Sequence, residues 1–223
     1  MTASWRKLAA GVVLVAALAG CEATTGPGTM QFAAGPERAA RLAPEAAASE
    51  AAASTVPTPV PAMRWGERRG GDEWARETLA ALESHGVALV GTVPGDVATY
   101  CPAYASQDAE ARRHFWVGFL SSLAKHESTW NPQAKGGGGK WLGLMQIAPA
   151  TWRGYGCSGE ILDGGDNLAC AVKIMAKQVG RDGVIAGGGK HGVGRDWAPM
   201  RSSAKRADIA GWTRQQSYCA TGA

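Results

Sequence analysis

Between Lys125 and Thr151 the chain reads KHESTWNPQAKGGGGKWLGLMQIAPAT, bringing a carboxylate, an amide and several indoles together around a glycine-rich turn. Glu127 is the group best suited to moving a proton. It follows Leu123 by four residues and Leu120 by seven, so it extends the apolar row of a helix and not its solvated side. Asn131 and Pro132 oppose continuation of that helix, which leaves Glu127 near its carboxyl end. An apolar wall and the negative end of the helix dipole both disfavour the ionised carboxylate and push its pKa upward. An acid that keeps its proton near neutrality can serve as a general acid. The plainer alternative is a boundary residue whose carboxylate sits at the rim of the apolar face.

Other chemistries fail on spacing. His126-Glu127 opens like the zinc-protease signature His-Glu-x-x-His, but Trp130 stands where the second His is required. Gly139-Lys140 and Gly189-Lys190 are followed by Trp141 and His191, where a phosphate loop needs Ser or Thr. Gly156-Cys157-Ser158-Gly159 misses the nucleophile-elbow pattern by one position. The four His are scattered and read as surface or core residues. No Cys-x-x-Cys spacing exists, so the thiols do not suggest a metal site. No metal or organic cofactor is implied.

The elements that must position Glu127 are helical. Ala109 to Ala124 carries Trp116, Phe119, Leu120 and Leu123 at the spacing of a helix buried on one face, with Asp108 as its cap. Asp72 to Ser84 has a helical period through Trp74, Leu79 and Leu82, and Gly86 supplies a stop. Asp166 to Val179 places Leu168, Ala171, Val172, Met175 and Val179 on one face. Val87 to Val97 is apolar and β-branched but interrupted by Pro94-Gly95, which predicts a short strand or loop packed on the core. Convincing alternating strands are few. The pattern predicts a mainly α fold with little β, occupying residues 64–223.

The start of the chain has a different character. Arg6 and Lys7 precede the apolar run Leu8 to Leu18 and the small residues up to Cys21, which describes a secretory signal over residues 1–20, too short to span a bilayer comfortably. The chain is therefore expected to be exported. Leu18-Ala19-Gly20-Cys21 resembles a bacterial lipobox, in which Cys21 is lipidated and becomes the first mature residue; an ordinary signal with a chance Cys is the alternative. Glu22, not Asp, follows the Cys, and the resemblance then implies a lipid anchor on the periplasmic face of the outer membrane. Residues 21–63 shift to Ala, Thr, Pro, Gly and Glu, too little apolar surface to offset ordering entropy, and read as a disordered tether. Removing Arg6 and Lys7 takes the formal charge from +4 to +2, which gives a nucleic-acid partner little support. With Cys21 set aside, Cys101, Cys157, Cys170 and Cys219 form an even set in an exported chain, hence two disulfides with three connectivities. The favoured pairing is Cys157 with Cys170, closing a short loop beside the site, and Cys101 with Cys219, pinning the carboxyl-terminal tail.

Glu127-Ser128, followed after the turn by Gly143-Leu144-Met145-Gln146-Ile147 and Pro149-Ala150-Thr151, resembles the transglycosylase SLT family, the lytic transglycosylases of bacterial cell walls, which have a lysozyme-like fold. The likeness is close over the motif and loose over residues 96–223, where the Asn167-Leu168 opening resembles the family helix that follows the Gln motif. Glycoside cleavage ordinarily uses two carboxylates. Here the next acids, Glu160, Asp163 and Asp166, read as a solvated helix-capping cluster. The family works with one Glu and assistance from the substrate, so the resemblance implies peptidoglycan glycan strands as partner. Glu127 would protonate the bond between N-acetylmuramic acid and N-acetylglucosamine, then accept the proton of the muramic 6-hydroxyl, leaving a 1,6-anhydro sugar and consuming no water. It further implies that Ser128 orients the Glu127 region, Gln146 binds a sugar amide or hydroxyl, and Met145 packs on the saccharide. Trp130, Trp141 and Trp152 can stack on sugar C–H groups, or each can be core. Gly136 to Gly139 would let backbone approach a sugar closely, or form a mobile surface loop.

One departure stands out. Family members commonly carry an Ala-Tyr-Asn-x-Gly segment after the second helix, with its Tyr against the catalytic Glu. Residues 185–194 read IAGGGKHGVG, with no Tyr or Asn, and His191 or Tyr218 are the candidates to stand in. Two alternatives follow from this departure: a lipoprotein that binds glycan without cutting it, and a hydrolytic muramidase that uses the same Glu127 with an activated water.

Overall fold

The computed structural model describes residues 60–220. The expected signal segment, Cys21 and the tether up to residue 59 lie outside the described residues. The elements run α1 (Gly71–Ser84), α2 (Val87–Gly91), α3 (Ala109–Ser128), β1 (Lys135–Gly136), β2 (Trp141–Leu142), α4 (Pro149–Gly154), α5 (Gly164–Asp182) and α6 (Ser203–Thr213), joined by 3-10 turns. The mainly helical, lysozyme-like architecture expected from the sequence is the one found, and its little sheet is the antiparallel β1–β2 hairpin.

The α3 helix is the axis. Its cap is Asp108, whose Oδ1 accepts from the Ala111 amide at 2.8 Å. The spacing predicts burial on one face, but every residue from His114 to Ala124 is buried. The reason is enclosure: α1, α2, α6 and the turn Ser217–Cys219 all pack against α3. Even Ser121 and Ser122 are wholly enclosed. Such a helix is the centre of a core and not one wall of it. Trp116 Nε1 donates to Tyr104 Oη at 2.9 Å and Tyr104 donates to the Val90 carbonyl at 3.1 Å, whereas the Ser122 and Tyr218 hydroxyls are buried without a partner.

Three boundaries differ from the sequence reading. Val87–Val97 holds no strand: Val87–Gly91 is a short helix that buries Leu89 and Val90, and Val97–Thr99 is a 3-10 turn. No neighbouring strand among the described residues offers a ladder, so packing against α3 and α5 outweighs β propensity. The α5 helix begins at Gly164, because Asp163 and not Asp166 is the cap, accepting from the Asp166 amide at 3.0 Å. Packing also starts a little before Arg64, since Met63 is buried and Val60 lies against the core. Both favoured disulfides form: Cys101–Cys219 joins the turn before α3 to the carboxyl-terminal turn, and Cys157–Cys170 joins the loop after α4 to α5.

Candidate active site

The last turn of α3 delivers Glu127 to the wall of a cleft of about 380 Å³, lined also by Trp141, Gln146, Asp196, Ala198 and Arg201. Glu127 Oε1 is buried with no hydrogen-bond partner, which leaves Oε2 as the oxygen that meets the cleft. Burial raises the Glu127 pKa from 4.5 to about 7, and the Lys205 ammonium lowers it by a smaller amount. A larger hollow of about 520 Å³ lies between Val60 and Arg76, but the ionisable side chains around it are exposed. The buried carboxyl with a raised pKa is thus at the Glu127 cleft.

Beyond Ser128 the chain leaves through left-handed backbone at Thr129 (φ 54°) and Trp130 (φ 60°). With Gln146 (φ 49°) these are the three non-glycine residues at positive φ among the described residues, and all lie between Glu127 and Ile147. Each such conformation costs about 1–3 kcal/mol and persists only where the surroundings hold it. Trp130 supplies part of that hold: Nε1 donates to the Ser121 carbonyl at 2.8 Å, and the Arg68 guanidinium lies 4.5 Å above its ring.

The Gly143–Gln146 turn is set between Leu142 and Ile147, which exchange backbone hydrogen bonds at 2.9 and 3.1 Å. Gly143 has φ 78°, and a Cβ there would collide with Asn167 and the Ile161 carbonyl. Asn167, wholly buried in the first turn of α5, accepts from the Met145 amide at 2.8 Å and donates to the carbonyls of Ile161 (2.8 Å) and Leu142 (3.2 Å). Gln146 Nε2 donates to the carbonyls of Gly143 (2.9 Å) and Ala134 (3.3 Å), so Oε1 is the group it can offer a ligand. Trp141 is 49% exposed, and its ring rests on Gly137 of the hairpin tip, where a Cβ would overlap it. The glycine run is thus a hairpin that seats an indole at the mouth of the cleft.

The other predicted residues are distributed as follows. Ser128 Oγ donates to the Ala124 carbonyl at 3.3 Å, back along the helix. Met145 is wholly buried, and its carbonyl accepts from Trp197 Nε1 at 2.9 Å, so it braces the turn from beneath and presents no side chain to a saccharide. Trp130 and Trp152 are not cleft residues, one being covered by Arg68 and the other buried. His191 stands 54% exposed beside Asp182 at 3.9 Å and does not line the cleft. The Tyr218 hydroxyl lies against Gly118, nine residues or about 13 Å up the helix from Glu127, so Tyr218 does not replace the family Tyr. Glu160, Asp163 and Asp166 form a capping cluster, in which Asp166 Oδ2 accepts from the Glu160 amide at 2.7 Å.

One carboxylate is expected at the site from the sequence, and the structure adds a second to the cleft wall. Asp196 lines the same cleft, exposed, with Oδ2 accepting from Gln178 Nε2 at 2.5 Å. It also borders an adjoining recess of about 70 Å³ that shares Trp141 and Gln146 with the cleft. The segment holding it is well anchored. Asp96 accepts from the amides of Ile185, Ala186 and Gly187 at 2.6 to 3.0 Å, and Asp182 receives Arg195 Nε and the Gly192 amide, both at 2.6 Å. On the other flank Asp208 of α6 binds Arg64 through both oxygens (2.8 and 2.9 Å) and His126 Nε2 at 2.7 Å, fixing the end of α3 beside Glu127. The Arg64 guanidinium above all, with the hydrogen bond to His126 and the nearby Lys125 ammonium, holds the Asp208 carboxyl well below the usual carboxylate range.

Comparison with known proteins agrees with this geometry. A family profile described as the transglycosylase SLT domain matches residues 104–186, from the turn before α3 to the end of the α5 connection. The solved structure of Bd0314 DslA, wild-type form 2, superposes with a TM-score of 0.66 at 26% identity, over 73% of this chain and 100% of that one. Two glutamate-to-glutamine mutants of DslA superpose over the same shares, with TM-scores of 0.66 and 0.64 at 26% and 25% identity. Curated proteins provide no match. The helix that ends in Glu127, the strained turn that carries Gln146 and the start of the helix that braces it from Asn167 all lie within the stretch that resembles the transglycosylase SLT domain.

Proposed function

We propose that this chain is a lytic transglycosylase that cleaves the bond between N-acetylmuramic acid and N-acetylglucosamine in peptidoglycan, with Glu127 as its single acid and base. The observation that carries the proposal is the burial of the Glu127 carboxyl, with Oε1 unpartnered, at the wall of a cleft, which raises its pKa to about 7. In the first step Oε2–H gives its proton to the glycosidic oxygen as the bond from that oxygen to C1 of the muramic sugar breaks. In the second the carboxylate takes the proton of the muramic 6-hydroxyl, whose oxygen closes on C1. One bond breaks, one forms, and Glu127 ends as it began. The apolar wall that disfavours the anion makes it an effective base in the second step. Gln146 Oε1 would accept from a sugar N–H or O–H, and the exposed Trp141 face would stack on sugar C–H groups.

Asp196 favours a second reading, hydrolysis. Two carboxylates on one cleft are the usual equipment of glycosidases, the second orienting water or stabilising the cation. Digesting purified murein sacculi with wild type and with Asp196→Asn, followed by mass spectrometry, separates the readings. Anhydro products from both proteins are the expected result. Reducing ends that disappear with Asp196→Asn would establish a muramidase, and retention on sacculi without any release would establish a glycan-binding protein.

We also propose that the protein is exported and anchored through lipidated Cys21 on the periplasmic face of the outer membrane, with residues 21–59 as tether. The two disulfides support an oxidising compartment. A Cys21→Ser variant is expected to move from the membrane to the soluble fraction of cell extracts; unchanged membrane recovery would reject the anchor.

A further inference from the structure

Arg201 lines the Glu127 cleft, and nothing in the reaction above uses it. Its Nε donates to the Gly194 carbonyl at 2.8 Å and its Nη2 to the Arg195 carbonyl at 2.6 Å. The guanidinium is thus held by the backbone of the turn Gly192–Arg195, without a carboxylate partner. None of the ion pairs among the described residues includes Arg201, and its Nη1 makes no protein hydrogen bond there. Asp196, the other charge on the cleft, takes its hydrogen bond from Gln178. Lys205, in the first turn of α6, adds a second positive charge close to Glu127.

A guanidinium fixed in position, with donors to spare and no counter-ion, is suited to an anionic ligand, above all the planar fork of a carboxylate. The neutral hydroxyls and acetamides of a glycan do not need such a group. Resting on the reading of this cleft as a peptidoglycan site, we infer that Arg201 selects glycan that carries a carboxylate on the muramic 3-substituent. Its charge would also offset the repulsion that such a carboxylate meets from Asp196. The carboxylate has two sources: the lactyl group itself, free on strands stripped of peptide, or the acidic residues of an attached stem peptide.

Calorimetric titration of the full chain in a Glu127→Gln background, which prevents turnover, tests this with three oligosaccharides of equal length. One is peptide-free muramic glycan, one is peptide-bearing, and one is chitooligosaccharide, which has no carboxylate. At least one carboxylate-bearing glycan is expected to bind roughly tenfold or more tightly than the chitooligosaccharide, as a charge-assisted hydrogen bond would give. Which of the two gains identifies the source. Arg201→Gln is expected to abolish that ratio, and Arg201→Lys to retain part of it, with the preference weakening as salt rises. If Arg201→Gln weakens all three glycans by one common factor, the residue only braces its turn and the inference is overturned. Equal binding of the three by the parent overturns the inference alone, whereas no binding to any glycan overturns it together with the function it rests on.

Discussion

Replacing Glu127 with Gln is expected to lower the rate of glycan release from sacculi by about 10²–10⁴-fold, the usual contribution of a positioned acid and base. The amide keeps the shape of the side chain and loses the proton that moves. Wild-type kcat/KM should be flat on the acid side and fall about tenfold per pH unit above about 7, where Glu127 ionises. The substitution should change stability in the opposite sense to activity. The folded protein binds this proton more tightly than the unfolded chain, so Glu127 costs the fold nothing below its unfolded value of 4.5. Its cost grows as pH rises and is complete above about 7, where an ionised carboxylate occupies an apolar wall. Glu127→Gln should therefore be more stable than wild type at about pH 8, by on the order of 1–2 kcal/mol, with the difference vanishing at about pH 4. A dead enzyme that melts higher at alkaline pH is the signature of a group kept for function. A variant that digests sacculi at the wild-type rate would remove Glu127 from the mechanism, and one that shows no gain in denaturant midpoint would mean that its burial is not a strain on the fold.

How far this site is legible in the sequence depends on the range of the interactions that build it. Glu127 could be read because its environment is local: Leu120, Leu123 and the stop at Pro132 lie within one helix and its exit, and the 3.6-residue period fixes which side they share. Asp196 and Arg201 could not, since they come from segments about seventy residues downstream and reach Glu127 only through the packing of α5, α6 and the intervening turns. Trp130 and Trp141 show the same limit with one residue type. Both flank the glycine run, yet one indole N–H finds the Ser121 carbonyl while the other ring is left half exposed on Gly137. Tyr218 failed as a stand-in because separation along α3 places its hydroxyl at Gly118, which sequence order alone does not reveal. Val87–Val97 misled for a related reason: β-branched residues favour a pleated surface only where a neighbouring strand supplies one.

Removing the Cys101–Cys219 disulfide by a double Ser substitution is expected to cost about 2–5 kcal/mol in unfolding free energy. The bond closes 118 residues, a far longer loop than the 13 of Cys157–Cys170, so it restricts the unfolded chain more. It also has native consequences. The carboxyl-terminal turn places Tyr218 on α3, and Thr213 Oγ1 donates to the Tyr100 carbonyl at 2.8 Å beside the same junction. The Tyr218 hydroxyl is buried without a hydrogen-bond partner, so little besides the covalent link and apolar contact keeps the turn in place. The midpoint of urea unfolding should fall with little change in slope, and the double variant should melt roughly 10 °C lower. At temperatures well below melting kcat should be retained, because the bond anchors the amino-terminal approach to α3 while Glu127 sits in its last turn, with Asp208 holding that end independently through Arg64 and His126. A loss below about 1 kcal/mol would show that packing alone pins the tail. A large loss of kcat in protein that remains folded would show that the two ends of α3 are mechanically coupled, contrary to the separate anchoring seen here.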